Sequence, residues 1–238
     1  MEYNSLNSYN EDEDFNFWPS FADLMLSIVL ILVLIMFTSI VYISQGKLNL
    51  SQVTKKQMEV IHDIAAVSGV DVQCKRQLGD EYNECVIEEQ GIAVKNELTL
   101  QRFTFSDNIL FYSDSYEINE KGKLVLSKVG NEFKKRIKYI GEIQIQGHAD
   151  TDNTTIHGTN MKLAALRSIA VFEFLRDNVG IDPVRQFMSA TSFGEYMPAC
   201  RKPGDSFDLK RLKECNKNNE DKRKNRRIEI LLFYKNIS

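Results

Sequence analysis

Three sets of side chains in this 238-residue chain have the type and spacing to do chemistry. The first is Asp23, at the mouth of the apolar run LMLSIVLILVLIMFTSIVYI, with Ser27 one helical turn further on the same face. The second is Asp150, which closes the stretch GEIQIQGHAD, together with Asn160, Leu163 and Arg167, whose i, i+3, i+7 spacing puts them on one helix face. The third is four cysteines, Cys74, Cys85, Cys200 and Cys215, all after the apolar run.

A carboxylate at the centre of a membrane span costs about 2.5–3.5 kcal/mol, and less near its end. Such a residue either faces a bundle interior or water path, or rests in the headgroup interface, where a helix N-terminus also favours an acid. One span cannot enclose a water path, so the first role requires a multi-span partner. An elementary charge crossing 100 mV releases about 2.3 kcal/mol, which can drive motion in that partner. Physics alone leaves both readings of Asp23 open. An aspartate facing an arginine across a groove suits a zwitterion, because arginine offers a rigid fork to a carboxylate and aspartate accepts from an ammonium. The alternative is a structural ion pair between Asp150 and Arg167.

Four cysteines on one side of the span suggest disulfides and an oxidising compartment. They allow three pairings, of which Cys74–Cys85 and Cys200–Cys215 each close a short polar loop and are the ones expected. Zinc is disfavoured by spacing, since no C-x₂-C or C-x₄-C occurs. His148 reads as structural. No serine or cysteine sits in a nucleophile motif, so the chain is not expected to be an enzyme. A net charge of −3 gives no support for a nucleic-acid partner, and the run KRKNRR reads as a solvated strand edge.

These residues need elements to hold them. Between Leu24 and Ile43 the only polar side chains are Ser27, Thr38, Ser39 and Tyr42, enough apolar length to cross a core about 30 Å thick. A cleaved signal would carry a basic start and a shorter run, yet no Lys or Arg precedes Asp23. The run therefore reads as a retained transmembrane helix over 18–43, behind an acidic cytoplasmic tail, 1–17. Phe15, Phe17, Trp18, Phe21 and Tyr42 suit interfacial belts, and Pro19 suits a first helical turn. Lys47, Lys55 and Lys56 after the span favour a cytoplasmic C-terminal side, whereas the cysteines favour a periplasmic one. Leu50, Val53, Gln57, Val60, Ile64 and Val67 recur at steps of 3 and 4, which fits a coiled-coil dimer seam or an ordinary amphipathic helix. Residues 44–100 read as a linker helix and a charged cysteine loop. Beyond them, alternating GIAVKNELTLQRFTF, helical EINEKGKLVLSKVGNEFKKRI, alternating GEIQIQGHAD, a helix from Leu163 to Val179, and strands in RQFMSATSFGE and NRRIEILLFY predict an α/β domain, 101–238, with helices on one face of a mixed sheet.

Four ordered blocks resemble the OmpA-like peptidoglycan-binding domain: Gly147-His148-Ala149-Asp150, Asn160-x-x-Leu163-Ala164-x-x-Arg167-Ser168, Phe193-Gly194-Glu195 with Pro198, and Asn225-Arg226-Arg227-Ile228-Glu229. Ala149 and Ser168 depart from the usual threonine and alanine, and the loop between Asp150 and Asn160 is about two residues longer than typical. The resemblance implies that Asp150, Thr159, Asn160, Leu163, Arg167 and Arg226 bind peptidoglycan through diaminopimelate, which carries an ammonium and a carboxylate, and that no cofactor is used. A second stretch, Trp18-Pro19-Ser20-Phe21-Ala22-Asp23-Leu24-Met25, resembles the span entry of MotB-type stator subunits, whose aspartate carries the ion. Trp18 stands five residues before Asp23, where flagellar members show six. That spacing, the brief linker and the paired cysteines look more like the B subunits of Zorya anti-phage systems. This likeness implies a homodimer inside a pentamer of MotA-like multi-span subunits in a bacterial inner membrane. Its N-terminus would be cytoplasmic, with a proton carried by Asp23 near Ser27.

Overall fold

The computed structural model describes residues 18–68, 73–76, 83–87, 92–154, 157–202 and 204–235. The acidic tail expected over 1–17 lies outside them. The chain divides into two compact units, Met1–Leu48 and Asn49–Ser238. The first helix, α1 (Trp18–Ser68), belongs to the first unit through Leu48 and to the second from Asn49 onward.

In the first unit, Trp18–Gln45 contains an 18-residue window with a mean hydropathy of 3.0, none of it buried. At about 1.5 Å per residue it is long enough to cross a hydrocarbon core. No glycine or proline interrupts it after Pro19. Three of its hydroxyls bond back within the helix: Ser27 donates to the Asp23 carbonyl at 2.9 Å, Thr38 and Ser39 to that of Ile35 at 2.9 and 2.7 Å. A helix that returns hydroxyls to its own carbonyls and leaves its apolar faces uncovered suits lipid, Asp23 being the exception.

The second unit is built on one seven-stranded sheet, with spatial order β1-β2-β3-β4-β7-β5-β6. The strands are β1 (Gln73–Arg76), β2 (Asn83–Ile87), β3 (Ile92–Asn96), β4 (Leu100–Ser106), β5 (Ile140–His148), β6 (Phe187–Gly194) and β7 (Arg227–Tyr234). Among the described strands only β5 and β6 run parallel, the pairing that needs a crossover helix. That helix is α4 (Asn160–Phe174). It is continued by a π turn, Leu175–Val179, and stopped by Gly180 at φ 77°, a left-handed stop that favours glycine. Helix α3 (Glu120–Lys135) precedes β5, and the short α2 (Asp107–Leu110) follows β4 directly. Phe103, Phe105, Phe133, Ile143 and Ile145 are fully buried between sheet and helices. The mixed sheet and the six elements expected from periodicity are present.

Residues 44–100 do more than link. From Asn49 onward they belong to the compact unit. Val53, Gln57, Val60 and Ile64 are buried by the unit's own sheet rather than by a second copy. Gln57 donates to the Glu97 carbonyl at 2.9 Å and accepts at its own carbonyl from Gln101 at 2.9 Å. Arg136, the C-cap of α3, pairs with Asp63. Spacing on that face is heptad-like, but it is an ordinary amphipathic face, each buried aliphatic contributing about 1.5–3 kcal/mol. The cysteine stretch also supplies β1 and β2, in which Cys74 and Cys85 stand directly opposite and are joined. Cys200 is joined to Cys215. This second bridge staples a lobe with two short helices that periodicity does not predict, α5 (Leu209–Glu214) and α6 (Asn219–Asn225).

Candidate functional site

The C-terminal end of β5 meets the start of α4, with α2 and the turn after it alongside. Their tight approach needs Gly147, because a Cβ there would lie 2.1 Å from the Ala164 carbonyl oxygen. Thr159 caps α4 by accepting from the Lys162 amide at 3.2 Å, which orients the first turn. The junction leaves a groove of about 550 Å³, lined among others by Asp107, Phe111, Tyr112, Asp150, Asn160, Leu163, Arg167 and Arg226.

Four charges organise it. Asp150 is 4% exposed; its carboxylate accepts from Arg226 and from the Asp152 amide at 3.1 Å, while its carbonyl accepts from the Asn160 amide group at 3.0 Å. Arg167, also 4% exposed, donates to the Ser115 carbonyl at 2.8 Å and reaches Asp107 at 3.4 Å. Its guanidinium stands 5.2 Å from the Phe111 ring centre. Arg226 bridges the two acids, lying 3.4 Å from Asp107 as well as bonding Asp150. Asp150 and Arg167 do not form the direct ion pair that was the alternative reading; they are linked through a relay, Asp150–Arg226–Asp107–Arg167. Asp107 was not legible as a site residue. Its only signal is a polar Ser-Asp-Asn where β4 ends, which reads as a turn.

Burial pushes the Asp107 carboxyl above its usual range, against the pull of Arg167 and Arg226. Burial likewise lowers Arg167, opposed by Asp107. For Arg226 burial also acts to lower, but the hydrogen bond to Asp150 and the charge of Asp107 prevail and raise it. These four charges sum to zero, with Asp114 and Asp152 also lining the groove, and the array opens to solvent through Arg226, which is 35% exposed. A ligand bearing both an ammonium and a carboxylate can exchange into such an array without leaving either sign unpaired, which is the condition for charges in a partly buried site.

Five of the six predicted residues, Asp150, Asn160, Leu163, Arg167 and Arg226, line this groove, and Thr159 acts through the helix it caps. His148 does not join them. It is 3% exposed, stacks on Phe193 at 5.2 Å and donates from Nδ1 to the Met197 carbonyl at 3.2 Å. Burial, helped by the charge of Arg227, lowers its pKa to about 4. Beside it, burial works to raise Glu229, but Arg227 and Arg102 outweigh that and hold it at about 2. In the other unit, Asp23 is exposed, and Ser27 bonds its carbonyl rather than its carboxylate. Among the described residues there is no cluster of His, Cys, Asp and Glu able to hold a metal.

The profile of the OmpA family matches residues 110–206, which span the groove's α3–β6 side. The Zorya protein ZorB of Escherichia coli is 26% identical over 193 residues, covering 76% of each chain. A solved structure of a putative MotB-like protein from Desulfovibrio vulgaris superposes with a TM-score of 0.56 at 20% identity, over 80% of this chain and 99% of that one. The periplasmic domain of Helicobacter pylori MotB gives 0.50 at 22%, over 65% and 88%. The two structural likenesses bear on the fold.

Proposed function

We propose that this chain, a MotB-like protein with an OmpA-like domain and a relative of ZorB, is the peptidoglycan-anchored B subunit of an ion-driven motor in a bacterial inner membrane, working in anti-phage defence. The observation that carries the reading is Asp23. It is the one carboxylate in the stretch Trp18–Gln45, whose apolar faces are all uncovered, with no cation paired to it among the described residues. An ionisable group held in a span is costly and functional by default. Here it needs surfaces from another protein, a MotA-like multi-span subunit, to form an ion path. Protonation and release at Asp23 drive that partner, while the second unit holds fast to the cell wall. The relay of two acids and two arginines supports capture of diaminopimelate, a zwitterion at its free end. Two disulfides support an oxidising, periplasmic side for that unit, with the N-terminus cytoplasmic. The stoichiometry that the stator resemblance implies is two copies within five partner subunits. Because the heptad-like face is covered by its own sheet, the copies meet elsewhere.

The test is plaquing on cells carrying the native operon, wild type against Asp23→Asn, with protein levels checked and sacculus pelleting measured in parallel. Protection lost with sacculus binding kept is the expected result. Equal protection by both forms reduces the chain to a passive tether. If neither form protects, the defence role falls, and swimming becomes the next assay.

A further inference from the structure

One member of the acid–arginine relay comes from the disulfide-stapled lobe. Arg226 follows α6 directly and is its C-cap. Its side chain closes the relay by reaching both Asp150 and Asp107. Its backbone is held on two sides. The amide donates to the Lys222 carbonyl within α6 at 2.9 Å, and the carbonyl accepts from the Asp107 amide at 3.1 Å. The end of α6 therefore decides where the guanidinium stands. A guanidinium is a rigid fork, so a small displacement weakens its paired bonds together.

Packing does little to hold α6 in place. Among the described residues from 200 to 215, Leu212 is the only buried apolar side chain. Helices α5 and α6 are six and seven residues long, too short to be stable by themselves. The fixing is covalent and polar, and it converges on Asn225, the last residue of α6, which is 1% exposed. Its Oδ1 accepts from the Ala199 amide at 2.8 Å. Its Nδ2 donates to the Cys215 carbonyl at 2.9 Å and to Asn216 Oδ1 at 2.8 Å. Ala199 adjoins Cys200, and Cys200 is joined to Cys215. One side-chain amide thus grips both ends of the loop that the bridge closes, using its acceptor and both of its donor hydrogens. The Cys74–Cys85 bridge lies elsewhere in the sheet. It joins β1 to β2, and β3 and β4 stand between those strands and β7, which Arg226 precedes.

We infer that Asn225 is a positioning residue for Arg226. It carries the fixed geometry of the Cys200–Cys215 bridge to the guanidinium, so the groove's affinity depends on that bridge and not on Cys74–Cys85. The inference rests on the peptidoglycan reading above and adds which part of the fold sets the strength of the grip. Neither Asn225 nor the two cysteines line the groove, so their effect passes through Arg226.

The experiment is calorimetric titration of the full chain in detergent with a diaminopimelate-containing tripeptide, each variant first shown by its thermal melt to be folded at the titration temperature. Asn225→Ala is expected to bind about tenfold weaker than wild type, and Cys200→Ser with Cys215→Ser by a similar factor. Cys74→Ala with Cys85→Ala should bind as wild type does. Arg226→Lys, which keeps the charge without the fork, supplies the background that separates positioning from general damage. There, adding Asn225→Ala should weaken binding by less than about twofold more, because the group it aims is already gone. The full tenfold loss repeated in the Arg226→Lys background overturns the inference. So does wild-type affinity in Asn225→Ala or in Arg226→Lys, or an equal loss on removing either bridge; each of these leaves the peptidoglycan reading standing. Should Asn225→Ala fail to fold, the Cys200→Ser, Cys215→Ser pair is tested in both backgrounds with the same two outcomes. No binding by wild type overturns the peptidoglycan reading and the positioning role with it.

Discussion

The two units of this chain treat charge in opposite ways. In the first, one carboxylate stands in a 28-residue apolar stretch and is given no counter-charge by the rest of the described chain. In the second, two acids and two arginines around the groove satisfy one another almost completely. An unmatched charge in an apolar element has to be matched from outside, and its state can change with whatever matches it. A matched set in a fixed scaffold is stable alone and exchanges partners only for a ligand of the same balanced charge. On the function proposed above, the contrast separates a part that works with a partner from a part that grips. The two should also fail separately: Asp23→Asn should abolish motor function with no change in stability or sacculus binding, whereas groove variants should do the reverse.

Arg167→Ala breaks the comparison most severely. It leaves the Asp107 carboxylate, 14% exposed and already pushed up by burial, with Arg226 alone at 3.4 Å. Removing one member of a buried charge pair costs about 3–5 kcal/mol. The variant should unfold at markedly lower urea in its second unit and fail to pellet with sacculi. Arg167→Ala combined with Asp107→Asn should recover much of the stability, since the orphaned charge is gone, but none of the binding. A double variant as unstable as the single one refutes the relay as a matched set.

The next effect is one of pH. His148 is held neutral in the fold, its pKa lowered from the usual 6.5 to about 4. Its contribution is therefore complete above about pH 6.5 and is lost as the pH falls through about 4, because the unfolded chain takes up the proton first. The shift corresponds to about 3 kcal/mol. Glu229, lowered from 4.5 to about 2, keeps its contribution down to about pH 4.5 and loses it between there and about 2. Urea denaturation of the wild type at pH 7, 5.5 and 4 should show a falling midpoint, and His148→Phe should flatten that slope. A slope unchanged in the variant would place the acid sensitivity in another group. Neither residue lines the groove, so sacculus binding at pH 7 should be unaffected by the substitution.

How far the sequence carried differs between the units for the same physical reasons. The span and its carboxylate were legible because composition alone defines a lipid-facing helix. In the second unit, periodicity located β5, α3, α4 and β7, and helical spacing placed Asn160, Leu163 and Arg167 on one face. What it left unread was what each face meets. The 3 and 4 steps from Val53 to Ile64 are the same for a dimer seam as for a helix laid on a sheet, and only the long-range bonds of Gln57 to Glu97 and Gln101 distinguish them. Asp107 lies 43 positions before Asp150, and only the β4–β7–β5 order brings the two to one groove. Strands β1 and β2 were hidden because KRQLGDEYNE is charged enough to read as loop. In fact the strand pairing there is set by a disulfide between opposed residues as much as by apolar alternation.

The smallest effect gives the finest test of how the gripping unit is assembled. Thr159 stands next to the groove yet touches the site only through α4, by accepting from the Lys162 amide at 3.2 Å. Thr159→Ala removes that cap and should cost about 1 kcal/mol of stability. Because the helix start also carries Asn160, whose side chain holds the Asp150 carbonyl, fraying of the first turn would loosen the acid end of the relay before the arginine end. The expected outcome is a modest fall in urea midpoint with sacculus binding reduced no more than a few-fold. Thr159→Ser, which keeps the accepting hydroxyl, should restore both. If Thr159→Ala loses binding as completely as Arg167→Ala while its stability falls by only that small amount, then Thr159 touches the ligand itself. The site would then be wider than the four charges.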